Sequence, residues 1–185
     1  MSCKKVKLFP IKERNQNYPY NKASRIAFTS FKDDYRKLKG EDGKKYIYED
    51  NGKMVEAYPV GEIMIEYFSI LKNDFSRYNP KDFEESIDLT EEQKNELTDL
   101  IFNYGYQKDI GIMSASMCYM PRNAILFFDE NDNLFEFIMI CFDCNNYRTS
   151  KNELLNLGED CTDKMIMLQN LFAKAGIKYG TKREY

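Results

Sequence analysis

Two long apolar runs flanking one short polar turn constrain this chain more than anything else in it. The first is Tyr119 to Phe128, the turn is Asp129-Glu130-Asn131-Asp132-Asn133, and the second is Leu134 to Phe142. A strand with one buried face alternates apolar and polar residues, whereas near-continuous apolar strands are covered on both faces. The runs therefore predict a hairpin, 119–129 paired with 134–143, at the centre of a sheet. A turn centred between Asn131 and Asp132 sets Arg122 opposite Cys141 and Cys118 opposite Asn145, beside Cys144. Cys141 and Cys144 then converge only if the strand bends at Phe142-Asp143, because residues three apart on an extended strand face opposite sides.

Helices must cover such a sheet, and two are legible. Thr90-Glu91-Glu92-Gln93 matches a capping box, in which the hydroxyl and the side-chain amide satisfy backbone donors reciprocally. Leu97, Leu100, Ile101 and Tyr104 then share a face ahead of Gly105, so a helix is expected near 91–104. A second, near 162–175, carries Met165, Leu168, Leu171, Phe172 and Ala175 and closes at Gly176. Shorter strands are expected at Val6 to Phe9, stopped by Pro10, and at Arg25 to Phe31. Glu62 to Leu71 is ambiguous: Ile63 and Ile65 favour a strand, while Met64, Phe68 and Leu71 keep helical spacing. We read it as a strand. The expected fold class is α+β, a mainly antiparallel sheet with a central long hairpin packed by two main helices. The 185 residues suit one domain, 1–185, and a mild composition shift near Asn79 marks 1–79 as a candidate N-terminal subdomain.

Composition closes off most chemistry. There is no histidine, which excludes Ser-His-Asp and Cys-His nucleophilic sites and every zinc site needing an imidazole. There is no P-loop and no GxGxxG. The carboxylate pairs Asp33-Asp34, Glu84-Glu85, Glu91-Glu92 and Glu159-Asp160 lie in polar contexts and read as solvated faces. The expectation is a protein that is not an enzyme, with no catalytic residue, no cofactor and no metal. A formal charge of −3, with Lys4-Lys5-Val6-Lys7 as the one basic cluster, argues against nucleic acid as a partner. Those lysines suit a solvated strand edge. No apolar run approaches the roughly 20 residues of a membrane-spanning helix, so no membrane is expected either. Met1-Ser2-Cys3-Lys4-Lys5 is not followed by the apolar stretch of a secretory signal. With an odd cysteine count of five, this points to a cytoplasmic protein whose thiols are all free.

The open end of the central hairpin nevertheless gathers a candidate thiol cluster of Cys118, Arg122, Cys141 and Cys144. Three readings of it stand. The cysteines pack as small buried hydrophobes, with Arg122 paired to Asp143 or Glu136. Alternatively, Cys118 and Cys144 form a bridge or redox pair, with Arg122 lowering a neighbouring thiol's pKa. A four-cysteine zinc site would add Cys161 to Cys118, Cys141 and Cys144. The same residues, Cys118-Tyr119-Met120-Pro121-Arg122 and Ile140-Cys141-Phe142-Asp143-Cys144, resemble an uncharacterised bacterial protein family with the pattern Cys-aromatic-x-Pro-Arg followed by Ile-Cys-Phe-x-Cys. Phe172 to Gly180 looks like the same family's end, so the resemblance spans 90–180. Members often carry a histidine after the Pro-Arg, where this chain has Asn123. The resemblance implies no established activity.

The aromatic residues point to binding. The chain holds 14 Tyr, and tyrosine is enriched at protein-binding surfaces because it supplies large area at low entropy cost. Lys45 to Tyr58 carries Asn51-Gly52 between two strand-like runs, the signature of a tight hairpin. That turn sets Tyr48 opposite Val55 and Tyr46 opposite Ala57. Tyr46, Tyr48, Glu49, Asp50 and Glu56 form the candidate partner surface. The functional expectation is a non-enzymatic bacterial protein-binding protein, such as an immunity protein neutralising a basic toxin through charge complementarity. The alternative is a thiol-redox or zinc-binding protein using Cys118, Cys141 and Cys144.

Overall fold

The computed structural model describes residues 3–31, 47–48, 54–55, 62–105, 119–150, 156–158, 161 and 163–181. In chain order the first elements are β1 (Lys4–Lys5), α1 (Ile11–Arg14), β2 (Arg25–Ser30), β3 (Ile47–Tyr48), β4 (Met54–Val55) and α2 (Glu62–Asn73). There follow β5 (Glu85–Asp88), α3 (Glu91–Asn103), β6 (Tyr104–Gly105), β7 (Asn123–Phe128), β8 (Leu134–Cys141), β9 (Asn146–Thr149) and α4 (Lys164–Ala175). The fold is α+β.

The apolar runs pair as their pattern demands. β7 and β8 form an antiparallel hairpin inside a five-stranded sheet of order β5-β2-β7-β8-β9, with β7 in the middle. The register holds as expected from Asn123↔Ile140 to Phe127↔Glu136, and then Phe128 faces Leu134. Phe135 is the extra residue of a β-bulge, which locally breaks the two-residue alternation. The hairpin is shorter than the 119–129 and 134–143 anticipated. Pro121 has no N–H to extend the ladder, and the chain turns at 142–145. β2 lies between β5 and β7, so the segment before Asn79 supplies an interior strand of the same sheet.

Both faces of the sheet are covered. On one, Ile26, Phe28, Ile125, Phe127, Ile138 and Ile140 pack with Leu97, Leu100 and Ile101 of α3 and with Met165, Leu168 and Phe172 of α4. The rings of Phe28 and Phe172 stack at 3.8 Å. On the other, Ala27, Ala124, Leu126, Phe128, Phe137 and Met139 pack with Met64, Tyr67, Phe68 and Leu71. That second cover is α2, which corrects the strand expected at Glu62 to Leu71. Met64, Phe68 and Leu71 share the buried stripe of a helix, and the apolar underside of the sheet gives that stripe something to bury against. Of the two helices anticipated, α3 starts on its signal and α4 stops on its own. α3 runs straight into β6 at Tyr104 rather than closing on Gly105, and Asp163 gives α4 no side-chain cap bond. Thr90 and Gln93 form the capping box of α3, and Gly176, at φ 111°, ends α4 in the left-handed region.

Two strand expectations shift. Val6 to Phe9 is irregular, and the pairing residues are Lys4 and Lys5, opposite Gly105 and Tyr104 of β6. In the second hairpin Ile47 faces Val55 and Tyr48 faces Met54, in a two-stranded sheet of its own. The register thus slips by one residue from Tyr48 opposite Val55, the pairing a two-residue Asn-Gly turn would impose.

Candidate functional site

The bend that the cysteines needed is present. β8 ends at Cys141, residues 142–145 form the turn into β9, and Asn145 takes φ 51°. The Cys144 N–H donates to Cys141 Sγ at 3.3 Å, and both side chains are buried. Arg122 pairs with Asp143, Nη1 to Oδ2 at 3.2 Å, one of its two anticipated acids. Cys118 lies outside the described residues.

Among the described residues Cys141 is the one free cysteine, and its surroundings do not prime it. Burial pushes its thiol pKa up and Asp143 adds to this, outweighing the backbone donors of Met120 and Cys144 and the charge of Arg122. The lowering expected from Arg122 is therefore not the net result. Cys144 is disulfide-bonded. Tyr119 lines the same region, with its hydroxyl donating to the Met139 carbonyl at 3.4 Å and the Arg148 guanidinium 4.1 Å from its ring centroid.

The expectation of five free thiols is overturned most plainly by Cys3 and Cys161, which form a disulfide with Cα atoms 5.2 Å apart across 158 residues of sequence. No spacing rule links two cysteines that far apart, so nothing in the sequence flagged the pair. In this oxidised state neither Cys161 nor Cys144 has a thiolate to offer. A four-cysteine zinc site would need both bonds reduced first.

The disulfide is one of several ties that bind the N-terminal segment to the domain. The Val6 and Lys7 N–H groups donate to the Asn103 carbonyl at 2.8 and 3.1 Å. The Asn103 side chain takes the Phe9 N–H at 2.9 Å and gives its own amide to the Phe9 carbonyl at 3.2 Å. Arg14, 4% exposed, donates to the Asn95 carbonyl at 2.8 Å and to Thr98 Oγ1 at 3.1 Å. Further on, the Tyr18 hydroxyl donates to Glu136, whose other carboxylate oxygen accepts from Ser150. Glu136 follows the bulged Phe135, and Tyr18 also meets the Phe135 ring edge-on at 6.2 Å. The buried carboxylate thus has a hydroxyl on each oxygen, as a buried charge requires.

Of the candidate partner surface, Tyr48 lies in β3 opposite Met54, while Tyr46, Glu49, Asp50 and Glu56 fall outside the described residues. Comparison with protein-family models, curated proteins and solved structures returns no match.

Proposed function

We propose that this is a non-enzymatic protein-binding protein that engages a basic partner through the 45–58 hairpin, with toxin neutralisation as the specific form of that role. The observation that carries the reading is that β3 and β4 form a sheet of their own, apart from the five-stranded one. A hairpin whose pairing lies outside the main ladder suits a binding role. This one is rich in Tyr and in Asp and Glu, the makeup of aromatic anchors ringed by charge.

Among the described residues no helix is long and apolar enough to cross a membrane. The Cys3–Cys161 bond weighs toward an oxidising compartment and against the cytoplasmic placement read from the sequence, because cytosolic reductants keep thiols reduced.

A thiol-redox role is the second reading, favoured by the free Cys141 beside the disulfide-bonded Cys144. Its buried thiol makes a poor attacking group, which ranks this reading below binding. The test is affinity capture from the source cells with the oxidised protein, comparing the native chain with the folded Tyr46→Ala/Tyr48→Ala variant. A basic protein held by the native chain, released by salt and lost on the variant supports the binding reading. Equal retention by both refutes the surface assignment.

A further inference from the structure

The end of β8 holds a free thiol against a disulfide. Cys141 closes the strand with a buried, unbonded sulfur, and Cys144 just beyond it is disulfide-bonded. The 142–145 turn folds the second cysteine back toward the first, with the Asn145 N–H donating to the Phe142 carbonyl at 3.3 Å. The Cys144 N–H points at Cys141 Sγ, 3.3 Å away. The bonded sulfur hangs on the Cα next to that nitrogen, so the thiol sits within one side-chain length of it. The segment from Tyr119 to Arg122 is tied to the same strand end. Its Tyr119 hydroxyl donates to the Met139 carbonyl at 3.4 Å, and its Arg122 N–H to the Ile140 carbonyl at 3.3 Å. It brings a second backbone donor, the Met120 N–H, and the Arg122 charge to Cys141. A protonated sulfur is a weak acceptor and has little use for such a set of donors. Backbone N–H groups and a nearby guanidinium are what stabilise a thiolate.

We propose that Cys141 is an exchange thiol that transfers the Cys144 disulfide onto itself. The Cys141 thiol gives its proton to solvent, and the thiolate attacks Cys144 Sγ. A Cys141–Cys144 bond forms, the bond from Cys144 to its present partner breaks, and the expelled thiolate takes up a proton. A thiol and a disulfide stand on each side, so no oxidant or reductant is consumed. The product trades a tie between the 142–145 turn and another part of the chain for a loop closed at the turn itself. Burial and the Asp143 carboxylate keep the thiol protonated at rest, and the Arg122 charge opposes them. Tyr119 adds no charge, since burial pushes its own phenol up, and the Arg148 guanidinium lies over its ring. Exchange is therefore slow near neutral pH and quickens with the thiolate fraction. The inference rests on the thiol reading given second above and does not depend on the 45–58 hairpin.

The test holds the folded, oxidised protein without reductant between about pH 7 and about pH 9, around the ordinary thiol pKa. Samples are quenched in acid, unfolded and labelled with a maleimide at low pH, and peptide mapping locates the label. Label should move from Cys141 to the cysteine released from Cys144, and the peptide carrying Cys141 and Cys144 should appear internally bridged. The initial rate should rise about tenfold per pH unit below the thiol pKa and stay independent of protein concentration, with total thiol content constant. Cys141→Ser, which keeps the side chain's size, should leave the Cys144 cross-link unchanged throughout. Label that stays on Cys141 after a day at the highest pH overturns the proposal. So does movement that persists in Cys141→Ser or scales with protein concentration. New cross-links to Cys3 or Cys161 overturn it too, since they report scrambling of an unfolded chain. A parallel arm with glutathione separates the two claims. Glutathione that opens and re-forms the Cys144 bond, with no Cys141–Cys144 bridge at any time, leaves the thiol-redox reading standing and overturns the exchange alone. Neither a bridge nor a response to glutathione refutes both.

Discussion

Breaking the bond between Cys3 and Cys161 should cost stability chiefly through the unfolded chain. The bond closes a loop of 158 residues, and on the chain-entropy account a loop of that length restricts the unfolded state by ~5 kcal/mol. The disulfide at Cys144 lies within the same span and shortens the effective loop, but each halving of loop length lowers the figure by only about 0.6 kcal/mol, so the increment stays at ~4–5 kcal/mol. The folded state should persist, because Asn103, Arg14 and Glu136 keep their own holds on the N-terminal segment. The measurement is urea unfolding of Cys3→Ala/Cys161→Ala against the native protein, followed by far-ultraviolet circular dichroism. The midpoint should drop and the slope should rise, since a less constrained unfolded chain exposes more surface. A loss under ~1 kcal/mol with an unchanged slope would refute the reasoning, because a closed loop of this length cannot be so inert.

Three further outcomes follow from single contacts. Glu136→Ala should destabilise by about 2 kcal/mol, since it leaves the buried Ser150 hydroxyl without its acceptor and frees Tyr18, and urea unfolding reads this directly. Glu85 sits where burial raises its pKa, but Ser30 and the N–H groups of Tyr179 and Lys178 outweigh that and leave it below the ordinary value of 4.5. Its stabilising contribution is therefore full above about pH 4.5 and is lost as pH falls through the lowered folded-state value, so Glu85→Gln should flatten the acid limb of a stability–pH curve. Gly158 takes φ 76° and a Cβ there would lie 1.9 Å from the Ile101 carbonyl oxygen, so Gly158→Ala should cost about 3 kcal/mol or more, read from the thermal midpoint.

The parts of this fold that were legible in sequence are those where a periodic pattern meets a strong local signal. The β7–β8 register follows from unbroken apolar runs around one polar turn. It held up to Phe127↔Glu136, and only the bulge at Phe135 escaped. The α3 capping box and the α4 closing glycine are local chemistry and were readable as such. The α2 segment was not, because Ile63 and Ile65 argue for a strand locally, while the helix is decided by an apolar sheet face that needs a cover. β5 and β9 are short, partly exposed outer strands with no continuous apolar run to announce them. In the second hairpin the Asn51-Gly52 signal anticipated the pairing of the flanking strands, but not its one-residue slip. The thiol site was half legible: Asp143 was one of two acids offered for Arg122, and a bend at Phe142-Asp143 was the stated condition for Cys141 and Cys144 to converge. The Cys3–Cys161 bond was not, because tertiary folding alone brings those two sulfurs together.

An oxidised, covalently braced scaffold stands where the sequence suggested a cluster of reduced thiols. Peptide mapping of the native protein, alkylated after unfolding and digested without reductant, tests it most directly. The expected result is a Cys3–Cys161 cross-linked peptide, Cys144 recovered in a second cross-link, and Cys141 carrying the alkyl label. Five labelled cysteines in protein isolated without reductant would contradict it.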